Sequence, residues 1–126
     1  MNDQGKFQQE GYDLVAAAFE VHNEMGGGLL EELYQESLEI ELGLREIPFT
    51  PKQELRVYYK RRELKKRYIP DLIVHVGLVV ELKACKELTN DHQAQLLNYM
   101  RITRSPVGYL INFGPISGVE WKRLVL

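Results

Sequence analysis

The side chains best suited to chemistry in this sequence are Asp71, Glu81 and Lys83. Suppose His75, Val76 and Gly77 form a turn. Val74 then pairs with Leu78, Ile73 with Val79, and Asp71 faces Glu81. Directly opposed residues on paired strands hold their Cβ atoms about 4.5–5.5 Å apart. Two carboxylates that close repel unless a proton or a cation lies between them. A hard divalent ion such as Mg²⁺ suits such a pair, with waters completing its octahedron. A lysine beside it can orient a water or neutralise charge developing on a phosphate. The plainer alternative is a solvated Glu-x-Lys strand face, with Asp71 only opening a strand after Pro70.

Other residues fall at suggestive spacings. Gly28, Glu31 and Tyr34 recur every three positions, so Glu31 and Tyr34 share a helix face. Glu31 could add a third carboxylate to the metal site, or it could cap its own helix as the partner of Gly28; taken alone, the residues favour the cap. Tyr34 alone reads as core, and Glu32 as a solvated first-turn acid. At about 100° per residue, His92, Gln95 and Tyr99 lie within about 60° of one another on a later helix. Gln95 and Tyr99 could contact a phosphate or place a water, or serve as ordinary interface hydrogen bonders. His92 could equally be a first-turn histidine. Lys60, Arg61, Arg62, Lys65, Lys66 and Arg67 place six cations in eight residues. They could track a phosphate backbone, or simply keep an exposed hairpin soluble.

The elements that must position these groups follow from periodicity. Leu14, Ala18 and Val21 mark a helix over Phe7 to Glu24, ended by Gly26-Gly27-Gly28. A second helix runs from Leu29 to Leu42, with Gly43 as its stop. Gln53 to Tyr59 reads as a strand, Lys60 to Glu63 as a charged turn, and Leu64 to Tyr68 as the return. Leu72 to Val74 and Leu78 to Val80 give the clearest hairpin. Alternation puts Leu78, Val80 and Leu82 on the core face and Val79, Glu81 and Lys83 on the other. A helix from Asp91 to Arg104 follows, with Asn90 as N-cap and Gln93 as its capping-box partner. Strands over Val107–Phe113 and Val119–Val125 close an α-α-β-β-β-α-β-β order.

Composition bounds the rest. The chain has 126 residues, 44% apolar and 27% charged, with formal charge −2. That suits one domain, residues 1–126, with one core. It excludes a histone-like polycation but not a local basic patch. A single cysteine, Cys85, excludes an internal disulfide framework and a multi-cysteine zinc site, and reads as a small buried thiol. No apolar run approaches membrane-spanning length. Residues 1–6 lack an apolar signal core, so the expected location is cytoplasmic.

Pro70-Asp71 followed by Glu81-Leu82-Lys83 resembles the signature of the PD-(D/E)XK nuclease superfamily. Gln95 to Tyr99 resembles the Gln-x-x-x-Tyr motif of its RecB-like branch. The stretch from Gly28 through Glu31 to Tyr34 resembles the signature of the small prokaryotic GxxExxY proteins, which are assigned to that superfamily. The resemblance runs from Val21-His22 through Asn112-Phe113-Gly114. It implies an α/β, restriction-endonuclease-like fold, a mixed β-sheet flanked by helices. It also implies metal ligation by Asp71 and Glu81 with Glu31 as an additional ligand, Lys83 as catalytic lysine, and Gln95 and Tyr99 supporting the site. His22 carries over only as an outlying member of the pattern, and His22, Tyr34 and His92 are candidates for surrounding support. The family often has proline where this chain has Gly27, and glycine where it has Arg61.

The leading functional expectation is a phosphodiesterase acting on DNA ahead of RNA, using Mg²⁺ or alternatively Mn²⁺. The alternative is a nucleic-acid-binding or assembly module that keeps the fold without catalysis. A small-molecule or nucleotide hydrolase ranks last. The implied partner is nucleic acid and no membrane, with a homodimer or a larger nucleic-acid-processing assembly as open quaternary states.

Overall fold

The computed structural model describes residues 5–126. The opening tetrapeptide, part of the segment read for a signal core, lies outside them. Two helices come first, α1 (Gln8–Met25) and α2 (Glu31–Leu44). Then come β1 (Phe49–Pro51), a small ribbon of β2 (Tyr58–Tyr59) and β3 (Arg62–Glu63), and the hairpin β4 (Leu72–Val74) and β5 (Leu78–Lys83). Helix α3 (Asn90–Thr103) leads to β6 (Val107–Asn112) and β7 (Glu120–Val125).

Five strands form one sheet in the order β1-β4-β5-β6-β7; only the β5–β6 pair is parallel. A parallel pair needs a long crossover, which α3 supplies. Helices α1 and α2 cover one face. Leu14, Ala18 and Val21 of α1 and Tyr34, Leu38 and Leu42 of α2 pack there on Val80, Leu82, Tyr109 and Ile111. Helix α3 covers the other face, where Leu96 and Met100 meet Val79 and Leu110. Val79 is therefore buried at 1% exposure, and the second face of β5 is open only from Glu81 onward. Gly108 permits this close packing, because a Cβ there would stand 2.7 Å from the Met100 sulfur. No helix among the described residues is long and apolar enough to cross a membrane.

Several local expectations change. Gly43 lies inside α2, which continues to an Arg45 cap, because its backbone hydrogen bonds run on past the glycine. The expected Gln53–Tyr59 strand is broken. The chain pairs with β4 earlier, at Phe49–Pro51, and then leaves the sheet at Lys52, whose φ is 52°. From there only Leu55 bridges back, to Tyr68, before the ribbon begins. The ribbon turns at Lys60 and Arg61, both left-handed at φ 47° and 66°. Two consecutive positive φ values mark a tight hairpin turn that glycine would satisfy without strain, which gives the missing glycine at Arg61 a structural meaning. The cap of α3 is Thr89 rather than Asn90, and its capping-box partner is His92 rather than Gln93. Cys85 is half-buried rather than buried.

Candidate active site

The hairpin register is as the turn dictates. Leu72 pairs with Val80, Ile73 with Val79 and Val74 with Leu78, with His75 at φ 55° in the turn. Extending it by one step sets Asp71 beside Glu81. The Asp71 amide donates to Glu81 Oε1 at 2.9 Å, and the Leu82 amide donates to Asp71 Oδ2 at 2.7 Å. The Asp71 carbonyl accepts from Gln35 Nε2 at 2.9 Å and from the Lys52 amide. Every backbone polar group of Asp71 is thus engaged, and its carboxylate has one oxygen held by the sheet. The other oxygen, Oδ1, accepts from Lys52 Nζ at 2.5 Å. Asp71 itself is buried, while the Lys52 side chain is 56% exposed.

The Asp71 charge acts on the carboxyl groups around it. Burial, and then the Asp71 charge, push the Glu81 carboxyl up to about 7; the Asp71 amide and Lys83 oppose that rise without cancelling it. Partial burial and the Asp71 charge also raise Glu31, against the pull of Lys83 and Lys52. Burial lowers the Lys52 ammonium, but the hydrogen bond to Asp71 and the surrounding carboxylates outweigh it, and it is raised. These opposed influences tie Glu31, Lys52, Asp71, Glu81 and Lys83 into one electrostatic unit.

Glu31 does not cap its helix. Leu30 is the N-cap, Glu31 is the first helical residue, and no side chain caps that end. The capping alternative is thereby removed, and the carboxylate is left within electrostatic reach of Asp71. Its placement comes from the glycine loop. Gly26 and Gly28 adopt φ of 77° and 83°, and a Cβ on Gly27 would lie 2.6 Å from the Pro115 carbonyl. Tyr34 locks the loop: its hydroxyl donates to the Gly26 carbonyl at 2.6 Å and accepts from the Leu29 amide at 3.0 Å. Its ring stacks on Phe113 at 4.7 Å. His22 Nε2 lies 2.7 Å from the Pro115 carbonyl and ties α1 to the same corner. Tyr34 and His22 therefore support the loop that launches Glu31.

Gln95 and Tyr99 of α3 line a cleft of about 330 Å³ with Glu81, Lys83, Lys66 and Arg67. His92 borders the inner end of this region beside Gln95, although its Nδ1 is engaged by the Thr89 amide at 3.1 Å. Tyr99 stacks flat on Tyr68, with centroids 3.9 Å apart. The Tyr68 hydroxyl is buried next to Glu81 without a well-formed hydrogen bond; burial and the Glu81 charge push it up. Arg67 is partly neutralised by Glu54 and Glu63, at 3.3 and 3.2 Å. Lys60, Arg61 and Arg62 sit on the ribbon and Lys65 just after it, all exposed. The basic run is thus divided between the cleft rim and the ribbon.

Sequence reasoning missed Lys52, Gln35, Tyr68 and Asn112. The first three act through contacts far along the chain, and no local spacing marks them. Asn112 is fully buried at the end of β6. Its Oδ1 accepts from the Cys85 and Gly114 amides, and its Nδ2 donates to the Cys85 carbonyl and to Glu120. It pins the chain two residues beyond Lys83. The signal available was a polar residue ending an otherwise apolar strand.

Among the described residues no three His, Cys, Asp or Glu side chains converge into a ready-made metal cage. The donor set still fits a hard cation that keeps most of its water: one carboxylate fixed by a main-chain amide, and a second beside it whose charge burial and its neighbour oppose.

A model of the PD-(D/E)XK nuclease superfamily matches residues 8–124. No curated protein matches the chain. A solved structure titled "Crystal structure of SSO0001" is similar in fold, with TM-score 0.59 and 16% identity over 95% of this chain. The match takes in 59% of that chain, so this protein spans about three fifths of its length. The mixed five-stranded sheet flanked by helices is the restriction-endonuclease-like fold. With the match covering nearly its whole length, this chain belongs to the PD-(D/E)XK nuclease superfamily.

Proposed function

We propose that this protein is a metal-dependent phosphodiesterase of nucleic acid, with DNA ahead of RNA, of the GxxExxY type in the RecB-like branch. The observation that carries the reading is the Asp71–Glu81 contact. A half-buried glutamate set beside a buried aspartate, with the aspartate fixed by a main-chain amide, is costly to charge, and such pairs cluster at functional sites. Asp71 and Glu81 would hold Mg²⁺, or Mn²⁺ in its place, and Glu31 would add a third carboxylate. When bound, the cation supplies positive charge to the phosphate oxygens and acidifies a water.

The chain's own groups do the remaining work. Lys83 projects from the same strand face as Glu81 and donates to the attacking water or to the oxygen on which charge develops. Gln95 and Tyr99 hold the phosphate from across the cleft. Tyr68 backs Tyr99 and excludes water from the Glu81 side. One observation favours the alternative, a binding module without catalysis: Lys52 already supplies a cation to Asp71. A metal must compete with that ammonium, and the exposed lysine stem leaves it room to withdraw.

The test is a panel of linear, circular, branched and single-stranded DNA, plus RNA, with Mg²⁺, Mn²⁺ or EDTA. Cleavage that requires metal and vanishes in Asp71→Asn supports the enzyme. Binding that persists in Asp71→Asn, with no cleavage by the unaltered protein, supports the module.

A further inference from the structure

The ribbon and the last turn of α3 enclose a second groove, of about 800 Å³, beside the catalytic cleft. Arg56 and Arg61 line it from the ribbon side, and Arg101 and Arg104 from the helix. Among the described residues no acid lines it. Among them, too, Arg61 and Arg104 make no ion pair or side-chain hydrogen bond. Arg101 bonds only to Asn98 on its own helix, and Arg56 stands 3.9 Å from Glu63. Four guanidinium groups thus gather with little neutralisation in a chain whose formal charge is −2. Between them lie apolar surfaces: Tyr58, 52% exposed, Leu55, and Ile102, 48% exposed.

The groove and the cleft share no lining residue, but they adjoin across the Leu55–Tyr68 bridge, Leu55 lining the groove and Tyr68 the cleft. Both run between the segment that carries the ribbon and helix α3. Gln95 of the cleft and Arg104 of the groove are nine residues apart along α3, about 13 Å of helix at 1.5 Å per residue. Ile102 lies on the same side of α3 as Gln95, and the arginines flank it at the end of the helix.

We infer that this groove binds a single nucleic-acid strand leading to the cleft, with the arginines on its phosphates and Tyr58 stacked on an unpaired base. The inference rests on the nuclease reading and adds the form of its substrate. The apolar floor decides between strand and duplex. In a duplex the base faces are stacked on each other and only their edges show, so an exposed ring between arginines has nothing to stack on. An unpaired base offers its face to an aromatic ring whatever its sequence. The shared chemistry is that of a single-stranded polynucleotide, and DNA and RNA arms of the test tell the sources apart.

The experiment measures binding of labelled single-stranded DNA, single-stranded RNA and blunt duplex by fluorescence anisotropy. It is run in EDTA, so no cleavage is needed, across a salt series. Tyr58→Ala should weaken single-strand binding about tenfold or more, with Tyr58→Phe close to the unaltered protein and duplex binding unchanged. Arg61→Ala with Arg104→Ala should lower the slope of log affinity against log salt by about 1.4, or 0.7 for each lost phosphate contact. Equal affinity for strand and duplex, or a Tyr58→Ala variant that binds the strand normally, overturns the inference. A groove that fails while Asp71→Asn still abolishes cleavage leaves the nuclease standing. A strand-specific groove on a protein that cleaves nothing leaves the groove standing and removes the nuclease.

Discussion

Replacing Glu81 with glutamine should stabilise the metal-free protein while abolishing its activity. Burial and the Asp71 charge push the Glu81 carboxyl up to about 7, against 4.5 for an ordinary glutamate. That difference of about 2.5 pH units corresponds to about 3 kcal/mol at 1.36 kcal/mol each. Glu81 keeps some solvent contact, which trims the figure to about 2 kcal/mol. The sign follows from proton binding. Between about 4.5 and 7 the folded protein holds a proton on Glu81 that the unfolded chain has released. Stability from this group is therefore highest below pH 4.5, falls as pH rises to about 7, and is flat above. The glutamine side chain would keep an oxygen to accept from the Asp71 amide and would carry no charge. In EDTA at pH 8 the Glu81→Gln variant should melt roughly 6–10 °C higher, at about 3–5 °C per kcal/mol for a chain of this size. At pH 5 the gain should shrink below about 1 kcal/mol. Thermal unfolding of both proteins at both pH values, with cleavage assayed in parallel, measures it. A variant that is less stable at pH 8, or whose difference does not change with pH, refutes the account of the two carboxylates.

Lys52→Met should cost the metal-free protein about 1 kcal/mol, because half-exposed ion pairs contribute little and Asp71 keeps the Leu82 amide. The same substitution should tighten Mn²⁺ binding several-fold by calorimetry; unchanged or weaker binding means that Lys52 does not compete for the site. Tyr34→Phe keeps the stack on Phe113 but loses both hydroxyl hydrogen bonds, and chemical denaturation should show a loss of about 1–3 kcal/mol. Asn112→Ala leaves the Cys85 and Gly114 amides without their buried partner and should cost about 2–4 kcal/mol by the same assay.

The sequence was most informative where geometry is local. A three-residue turn between two apolar runs sets the β4–β5 register, and that register alone brings Asp71 to Glu81. Helical spacing likewise puts Glu31 and Tyr34 on one face. It could not say that the Tyr34 hydroxyl closes the glycine loop rather than serving the site. The Gln53–Tyr59 stretch is not a strand of the sheet, although its alternation is real: Leu55 and Val57 pack on the cluster of Tyr68, Val79, Leu96 and Leu110 beneath α3 without joining the sheet's hydrogen bonds. The short β1 lay hidden because it follows Pro48 and ends on Pro51, and proline discourages a strand reading. Lys52 was invisible for a related reason. Its left-handed backbone turns the chain out of the sheet at the position that places its ammonium on Asp71, across 19 residues of sequence. Capping of α3 was off by one residue because histidine at the third helical position can serve where glutamine was expected.

The central claim, phosphodiester hydrolysis at the Asp71–Glu81–Lys83 constellation, is tested most directly by one single-turnover measurement. Lys83→Ala is compared with the unaltered protein on its best cleaved substrate at saturating Mg²⁺, with Mn²⁺ affinity measured on the same samples. The account predicts a rate lower by about 10²-fold or more with metal affinity retained, as for loss of one group stabilising developing charge. Cleavage at an unchanged rate would contradict it.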